Sequence, residues 1–148
     1  AMQSLTGGWR ADVLRHTPEQ LYALAVDVES YPRFLPWCLS ARVRRRDGER
    51  LEVDNLFGLG PLQARFTSFA EQEPPRRLTI TAHDGPFHDF RLVWEFSPLG
   101  EGGCRVEARY KMALRSPMLH SLAAMTLPAM ERKVVQNFRD RVRRVYGR

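Results

Sequence analysis

An α+β architecture, with a curved antiparallel sheet wrapped around one long C-terminal helix, is the fold class this sequence predicts, and three observations carry it. Apolar and polar residues alternate with a period of two from residue 39 to 115. From Ser116 the period lengthens to three or four residues and stays there to the end of the chain. Turn signals at Asp47-Gly48, Glu73-Pro74-Pro75, Asp84-Gly85-Pro86 and Gly100 to Gly103 cut the alternating stretch into short strands. A sheet with one apolar and one charged face is antiparallel, covered on one side and wet on the other.

The elements follow in order. Residues 8 to 15 read as a first strand. Thr17-Pro18-Glu19-Gln20 is a helix start, with Thr17 as cap, Pro18 at the first helical position and Gln20 completing a capping box. Leu21, Leu24, Ala25 and Val28 then share one face, and the helix ends before Pro32. The next stretch, Asp27 to Cys38, sets Tyr31, Phe34 and Trp37 among Pro32 and Pro36. Proline fixes φ, donates no hydrogen bond and pushes its predecessor out of the α region, so this stretch is neither one regular helix nor a central strand. It reads as a stiff aromatic elbow, suited either to walling an apolar pocket or to plugging the core.

Beyond the elbow, Asp47-Gly48 marks a hairpin leading into Leu51-Glu52-Val53-Asp54. Leu62, Ala64, Phe66 and Ser68 share a face, as do Leu78, Ile80 and Ala82, and then Phe90, Leu92, Trp94 and Phe96. The same alternation places His88 on that last face. The strand to Leu114 is the cleanest, with Val106, Ala108, Tyr110, Met112 and Leu114 opposite Arg105, Glu107, Arg109 and Lys111. Gly58, Gly60 and Gly85 are the expected bending points of a sheet that must curve. Ser116-Pro117 starts the long helix, whose apolar face runs Leu119, Leu122, Thr126, Met130, Val134, Phe138, Val142 and Val145. Its opposite face includes Glu131, Arg132 and Lys133, and Pro128 is expected to kink or split it.

A length of 148 residues fits one domain with a substantial core, residues 1–148, with residues 1–7 expected as a cloning remnant and disordered N-terminus in which Met2 is the natural start. No apolar run approaches the about 20 residues that span a bilayer, and no secretory segment opens the chain. Cys38 and Cys104 have no metal spacing, which with the missing signal favours a reducing, cytoplasmic location. The net charge of +6 is carried mainly by arginine, clustered at Arg42, Arg44, Arg45 and Arg46 and again at Arg139, Arg141, Arg143, Arg144 and Arg148. Such a surface attracts anionic lipid or RNA, and charge alone does not choose between them. Catalytic signals are sparse. His83 and His88 flank a turn beside Asp84 and Asp89 without ligand spacing, Gly58-Leu59-Gly60 lacks a phosphate-loop lysine, and the methionines at 112, 118, 125 and 130 suit either an apolar ligand or plain core.

With the elbow Asp27-Val28-Glu29-Ser30-Tyr31-Pro32-x-Phe34-x-Pro36-Trp37, the run Gly85-Pro86-Phe87, the Trp94-Glu95-Phe96 strand and the closing Phe138 and Tyr146-Gly147 in place, the chain resembles the coenzyme-Q-binding branch of the START-like (polyketide cyclase/START) superfamily. That group also includes bacterial ribosome-association toxins. The likeness runs from about residue 9 to 147. It implies a helix-grip fold of about six to seven strands with short N-terminal helices, and a hydrophobic tunnel between sheet and helix.

The resemblance also implies a non-enzymatic role and no cofactor: binding ubiquinone or a similar isoprenoid lipid as a carrier in respiration. Position by position, Tyr31, Pro32, Phe34, Pro36 and Trp37 would form one end of the tunnel, and Phe87 and Trp94 its sheet side. Helix phase adds Leu122, Met125 and Met130. His88-Asp89 after Phe87 departs from the family pattern, which runs there to an apolar residue. Arg139, Arg141, Arg143 and Arg144 would touch an anionic inner-membrane surface peripherally, or ribosomal RNA if the chain acts as a ribosome-association inhibitor. A third reading, a polyketide cyclase or aromatase, would need acid–base groups in the tunnel, for which His83, His88 and Asp84 are the candidates.

Overall fold

Capping chemistry sets where both α-helices begin in the computed structural model, which describes residues 3–147. The Thr17 hydroxyl accepts from the Gln20 N–H at 3.2 Å while the Gln20 side chain accepts from the Thr17 N–H at 2.9 Å, opening α1 (Pro18–Val26). Ser116 Oγ accepts from the Leu119 N–H at 3.1 Å and opens α2 (Pro117–Tyr146). The strands are β1 (Leu5–Val13), β2 (Cys38–Asp47), β3 (Arg50–Leu59), β4 (Leu62–Glu73), β5 (Arg77–Ala82), β6 (Phe87–Pro98) and β7 (Cys104–Leu114), with α1 lying between β1 and β2 and α2 following β7. They form one antiparallel sheet in the order β1-β7-β6-β5-β4-β3-β2, a meander whose last strand is joined by β1. This is the helix-grip arrangement: the apolar face of the sheet curves around α2, and the charged face is wet.

Several expectations are corrected. Strand β1 starts at Leu5, so Leu5, Thr6 and Gly7 are paired with β7 rather than disordered, while residues 1 and 2 and Arg148 lie outside the described residues. Of the expected bending points only Gly58 lies in a strand; Gly60 and Gly85 sit in turns at φ +60. At Gly85 a Cβ would also strike the Arg65 carbonyl, so this turn needs glycine twice over. A register shift between Phe87 and Asp89 turns His88 out to solvent and lets both Phe87 and Phe90 point inward. Strict alternation across that bulge misplaces His88.

Helix α2 is not split at Pro128. The proline removes the N–H that would reach the Ala124 carbonyl, on a turn whose Ala124 is exposed, so solvent meets the lost bond. The two halves of α2 are packed differently. Val134, Phe138 and Val142 are buried, whereas nothing between Pro117 and Lys133 is fully buried. Val145, which the periodicity puts on the same face, is 43% exposed.

The C-terminal half of α2 is held by an aromatic cluster. Trp94, with 0% exposure, stands at its centre, 5.7 Å from the Phe138 ring, 5.6 Å from Trp9, 6.4 Å from Tyr31 and stacked on Phe96 at 6.2 Å. Asn137 Nδ2 donates to the Phe34 carbonyl at 3.1 Å and ties the elbow to the same half. A Phe138→Ala variant is therefore expected to lose about 3–5 kcal/mol of stability in urea unfolding, as for other large aromatic truncations in cores. A loss under about 1 kcal/mol would contradict this account of how α2 is anchored.

Candidate functional site

Where the N-terminal half of α2 stands off the sheet, it roofs a cavity of about 330 Å³. The floor is the concave face of the sheet, with Val53, Phe66, Ile80 and Leu92 among its apolar side chains. The roof is Leu119, Leu122, Ala123, Leu127 and Met130. Trp9, Tyr31, Leu35 and Trp37 line it from β1 and the elbow. Leu62, just past the Gly60-Pro61 turn, and Met118, in the first turn of α2, belong to the lining yet are 37% and 64% exposed, so the cavity opens between them.

The elbow is built by a short 3₁₀ turn, Val28–Arg33, that contains Pro32. Its tight spacing puts Tyr31 and Phe34 on one side, ring centroids 5.4 Å apart, and the Tyr31 hydroxyl donates back to the Ala25 carbonyl at 2.5 Å. The Trp37 carbonyl accepts from the Gly58 N–H at 2.9 Å, which clamps the end of the elbow to β3.

The residues singled out from the sequence divide. Tyr31, Trp37, Phe87, Leu122 and Met130 line the cavity. Pro32 and Pro36 are exposed on the outside of the elbow, because its aromatics take the inner side. Phe34 and Trp94 are buried in the core cluster, Phe34 lying 5.7 Å from Phe138, and neither reaches the cavity. Met125 is 80% exposed: it lies on the outer side of α2, away from Leu122 and Met130. Arg139 donates to the Asp12 carbonyl at 2.9 Å and Arg143 pairs with Asp140, while Arg144 makes no ion pair among the described residues and Arg141 is half-buried. His83 sits 3.4 Å from Asp89 on the surface, and Asp84 accepts from the Thr67 N–H at 2.9 Å, so the turn cluster serves the turn and stays outside the cavity. No group of three or more metal-ligating side chains occurs among the described residues.

Sequence reasoning set Ser68 and Tyr110 on inward faces but missed the carboxylate inside. The periodicity assigns Glu131 to the solvent face of α2, yet it lines the cavity; its Oε2 accepts from the Tyr110 hydroxyl and, at 3.1 Å, from the Gly8 N–H. The signal was present, since Glu131 precedes the buried Val134 and Phe138 by three and seven residues and follows the lining Leu127 by four. A Cβ at Gly7 would overlap both the Glu131 carboxylate and the Tyr110 hydroxyl, so glycine is what lets this pair form against β1. On the floor, Asn55 Nδ2 donates to Ser68 Oγ at 2.9 Å. Burial, then the hydrogen bond to Glu131 and its charge, push the Tyr110 hydroxyl above the usual range, so it stays a donor. Burial pushes the Cys38 thiol up to about 11, which makes it an inert core residue rather than a nucleophile.

The chain belongs to the polyketide cyclase / dehydrase and lipid transport family, whose model matches residues 14–139. It is 26% identical to the ribosome association toxin RatA of Pseudomonas aeruginosa over 93% of this chain and 96% of that protein. It is 29% identical to the mitochondrial coenzyme Q-binding protein COQ10 homolog B of Xenopus laevis, over 92% of this chain but 57% of that longer protein. Solved START-superfamily and aromatase/cyclase structures share the fold. Among them, the ZhuI aromatase/cyclase of Streptomyces sp. R1128 superposes with a TM-score of 0.77 over 99% of this chain and 100% of that one, at 13% identity.

Alkaline stability checks the buried ionisable groups. Burial pushes Cys38 and Cys104 up to about 11 from 9.0 and Tyr22 up to about 12 from 10.0, and raises Tyr31 and Tyr110 as well. The unfolded chain releases these protons at lower pH than the folded one, so the stability they contribute is complete below about pH 9 and falls as pH rises through the thiol and phenol range. The urea midpoint is expected to decline from about pH 9, with the onset moved toward about pH 10 in a Cys38→Ala/Cys104→Ala variant. A flat midpoint to about pH 11 would contradict this burial.

Proposed function

We propose that this family member binds an isoprenoid quinone of the coenzyme Q type in the cavity and carries it between membrane sites, without transforming it. The observation that supports this most is the cavity itself: apolar walls from sheet and helix, two tryptophans among them, and an opening between Leu62 and Met118. Hiding a quinone ring and the first part of its tail there gains roughly 25 cal/mol for each Å² of apolar surface removed from water. A volume of about 330 Å³ is at the small end for ligand pockets. A long tail would therefore leave by the opening, where exposed Leu62 and Met118 give it apolar contact. The similarity to a protein named for coenzyme Q binding covers 92% of this chain and agrees with this ligand class. No helix among the described residues is long and apolar enough to cross a membrane, so the carrier would meet a bilayer at its surface, with the net charge of +6 favouring anionic headgroups.

A second reading has its own support. Arg42, Arg45 and Arg46 are exposed on the edge strand β2 and make no ion pair among the described residues, and the similarity to RatA runs through nearly the whole of both proteins. In that reading these arginines contact ribosomal RNA and the cavity is incidental.

The test uses the tryptophans already in the wall. Titration with a decyl-substituted benzoquinone is expected to quench the fluorescence of Trp9 and Trp37, and Leu122→Trp, which fills the roof, is expected to abolish saturable binding while keeping the thermal midpoint. Undiminished binding in a folded Leu122→Trp protein would overturn the cavity reading. If binding is absent from the unaltered protein while co-sedimentation with ribosomes falls steeply with salt and is lost in Arg45→Glu/Arg46→Glu, the second reading prevails.

A further inference from the structure

The hydrogen-bonding groups of the cavity concern the oxidation state of what it carries. Helix α2 runs about 20 Å from Met118 at the opening to Glu131. There, Glu131 Oε2 is already occupied by two donors, the Tyr110 hydroxyl and the Gly8 N–H. Glu131 Oε1 receives no hydrogen bond among the described residues, so what this carboxylate offers a ligand is an acceptor. Across the same wall the Trp9 ring lies 6.3 Å from Tyr110 and 6.4 Å from Trp37, and its indole N–H is buried without a partner. That N–H is closed off from the cavity as well as from solvent, so Trp9 meets a ligand with its ring and not with its donor. The deep end therefore presents an acceptor, Glu131 Oε1.

An oxidised benzoquinone head has carbonyl and ether oxygens and no donor. It sets a carbonyl lone pair against the Glu131 carboxylate. Its reduced form carries ring hydroxyls, each able to give a proton to a hydrogen bond and to receive one on oxygen. We propose that this end of the cavity recognises a ring hydroxyl, so that the protein holds the hydroquinone form of its ligand in preference to the quinone. The inference rests on the carrier reading and sharpens it: the cargo is an alkylated hydroquinone whose hydroxyl donates to Glu131. Tyr110 acts as a positioning residue, holding the carboxylate in place from β7 while Gly8 holds it from β1.

The test is anaerobic calorimetric titration of the unaltered protein with a decyl-substituted hydroquinone and, separately, with the matching quinone. Charge-assisted hydrogen bonds predict that the hydroquinone binds at least about tenfold tighter. In Glu131→Gln the amide oxygen can keep the Tyr110 and Gly8 contacts while the amide nitrogen now donates, so the preference is expected to vanish or invert, mainly through weaker hydroquinone binding. Equal affinity for the two forms in the unaltered protein, or tighter quinone binding, overturns the preference and leaves the carrier reading standing. A preference that survives unchanged in Glu131→Gln overturns the assignment to this carboxylate. Binding of neither form overturns the carrier reading and the preference with it.

Discussion

The packing of Phe138 against Trp94 is the constraint on which the rest of the molecule depends. It fixes the C-terminal half of α2 to the centre of the sheet, together with the buried Val134 and Val142. With that half anchored, the helix direction is set, and its N-terminal half must continue over a sheet that curves away beneath it. Small side chains lie along this stretch, Ala70 in the floor and Ala123 in the roof, so the space is not refilled. The cavity is thus a consequence of one long helix being packed along half its length. Because dense packing is the norm in protein interiors, a gap of this size lined by apolar side chains costs stability unless something occupies it.

Polar groups within the cavity are few, and the carboxylate among them is held from three elements. Glu131 comes from α2, Tyr110 from β7 and the Gly8 N–H from β1, so the three meet only when the helix is seated and the edge strand is paired. Gly7 makes the approach close enough. The arrangement links the edge of the sheet to the helix and spares the carboxylate from facing apolar walls alone. The outer face of the sheet shows the opposite logic. Part of its charge is paired, with Glu95 bridging Arg77 at 3.2 Å and Arg109 at 2.7 Å, while Arg42, Arg45 and Arg46 on edge strand β2 and Arg144 near the end of α2 make no ion pair among the described residues.

Local chemistry was the legible part of the sequence. The Thr17 and Ser116 caps, the Asp47-Gly48 hairpin and the alternation of Val106 to Leu114 each act within a few residues, and the structure repeats them closely. The family resemblance added the expectation of a tunnel between sheet and helix, which periodicity alone could not supply. What failed was whatever depended on distance through space. Trp94 and Phe34 carried the right chemistry for a tunnel wall, but the anchoring half of α2 lies over them. Met125 was counted with Leu122 from approximate helix phase, and 80% exposure shows that the phase was one position out. Glu131 was set aside because a charge was expected to face solvent, although its spacing to Val134 and Phe138 pointed inward. His88 fell to a single bulge, which reverses side-chain direction without any signal that alternation can register.

The most direct measurement is organic extraction of the purified protein, before and after incubation with quinone-containing vesicles, followed by mass spectrometry of what is released. Binding in the cavity predicts an isoprenoid quinone or hydroquinone approaching one equivalent per chain, displaced when the cavity is filled from the roof. A folded protein that yields no lipid from either preparation would contradict the claim that this cavity is the functional site.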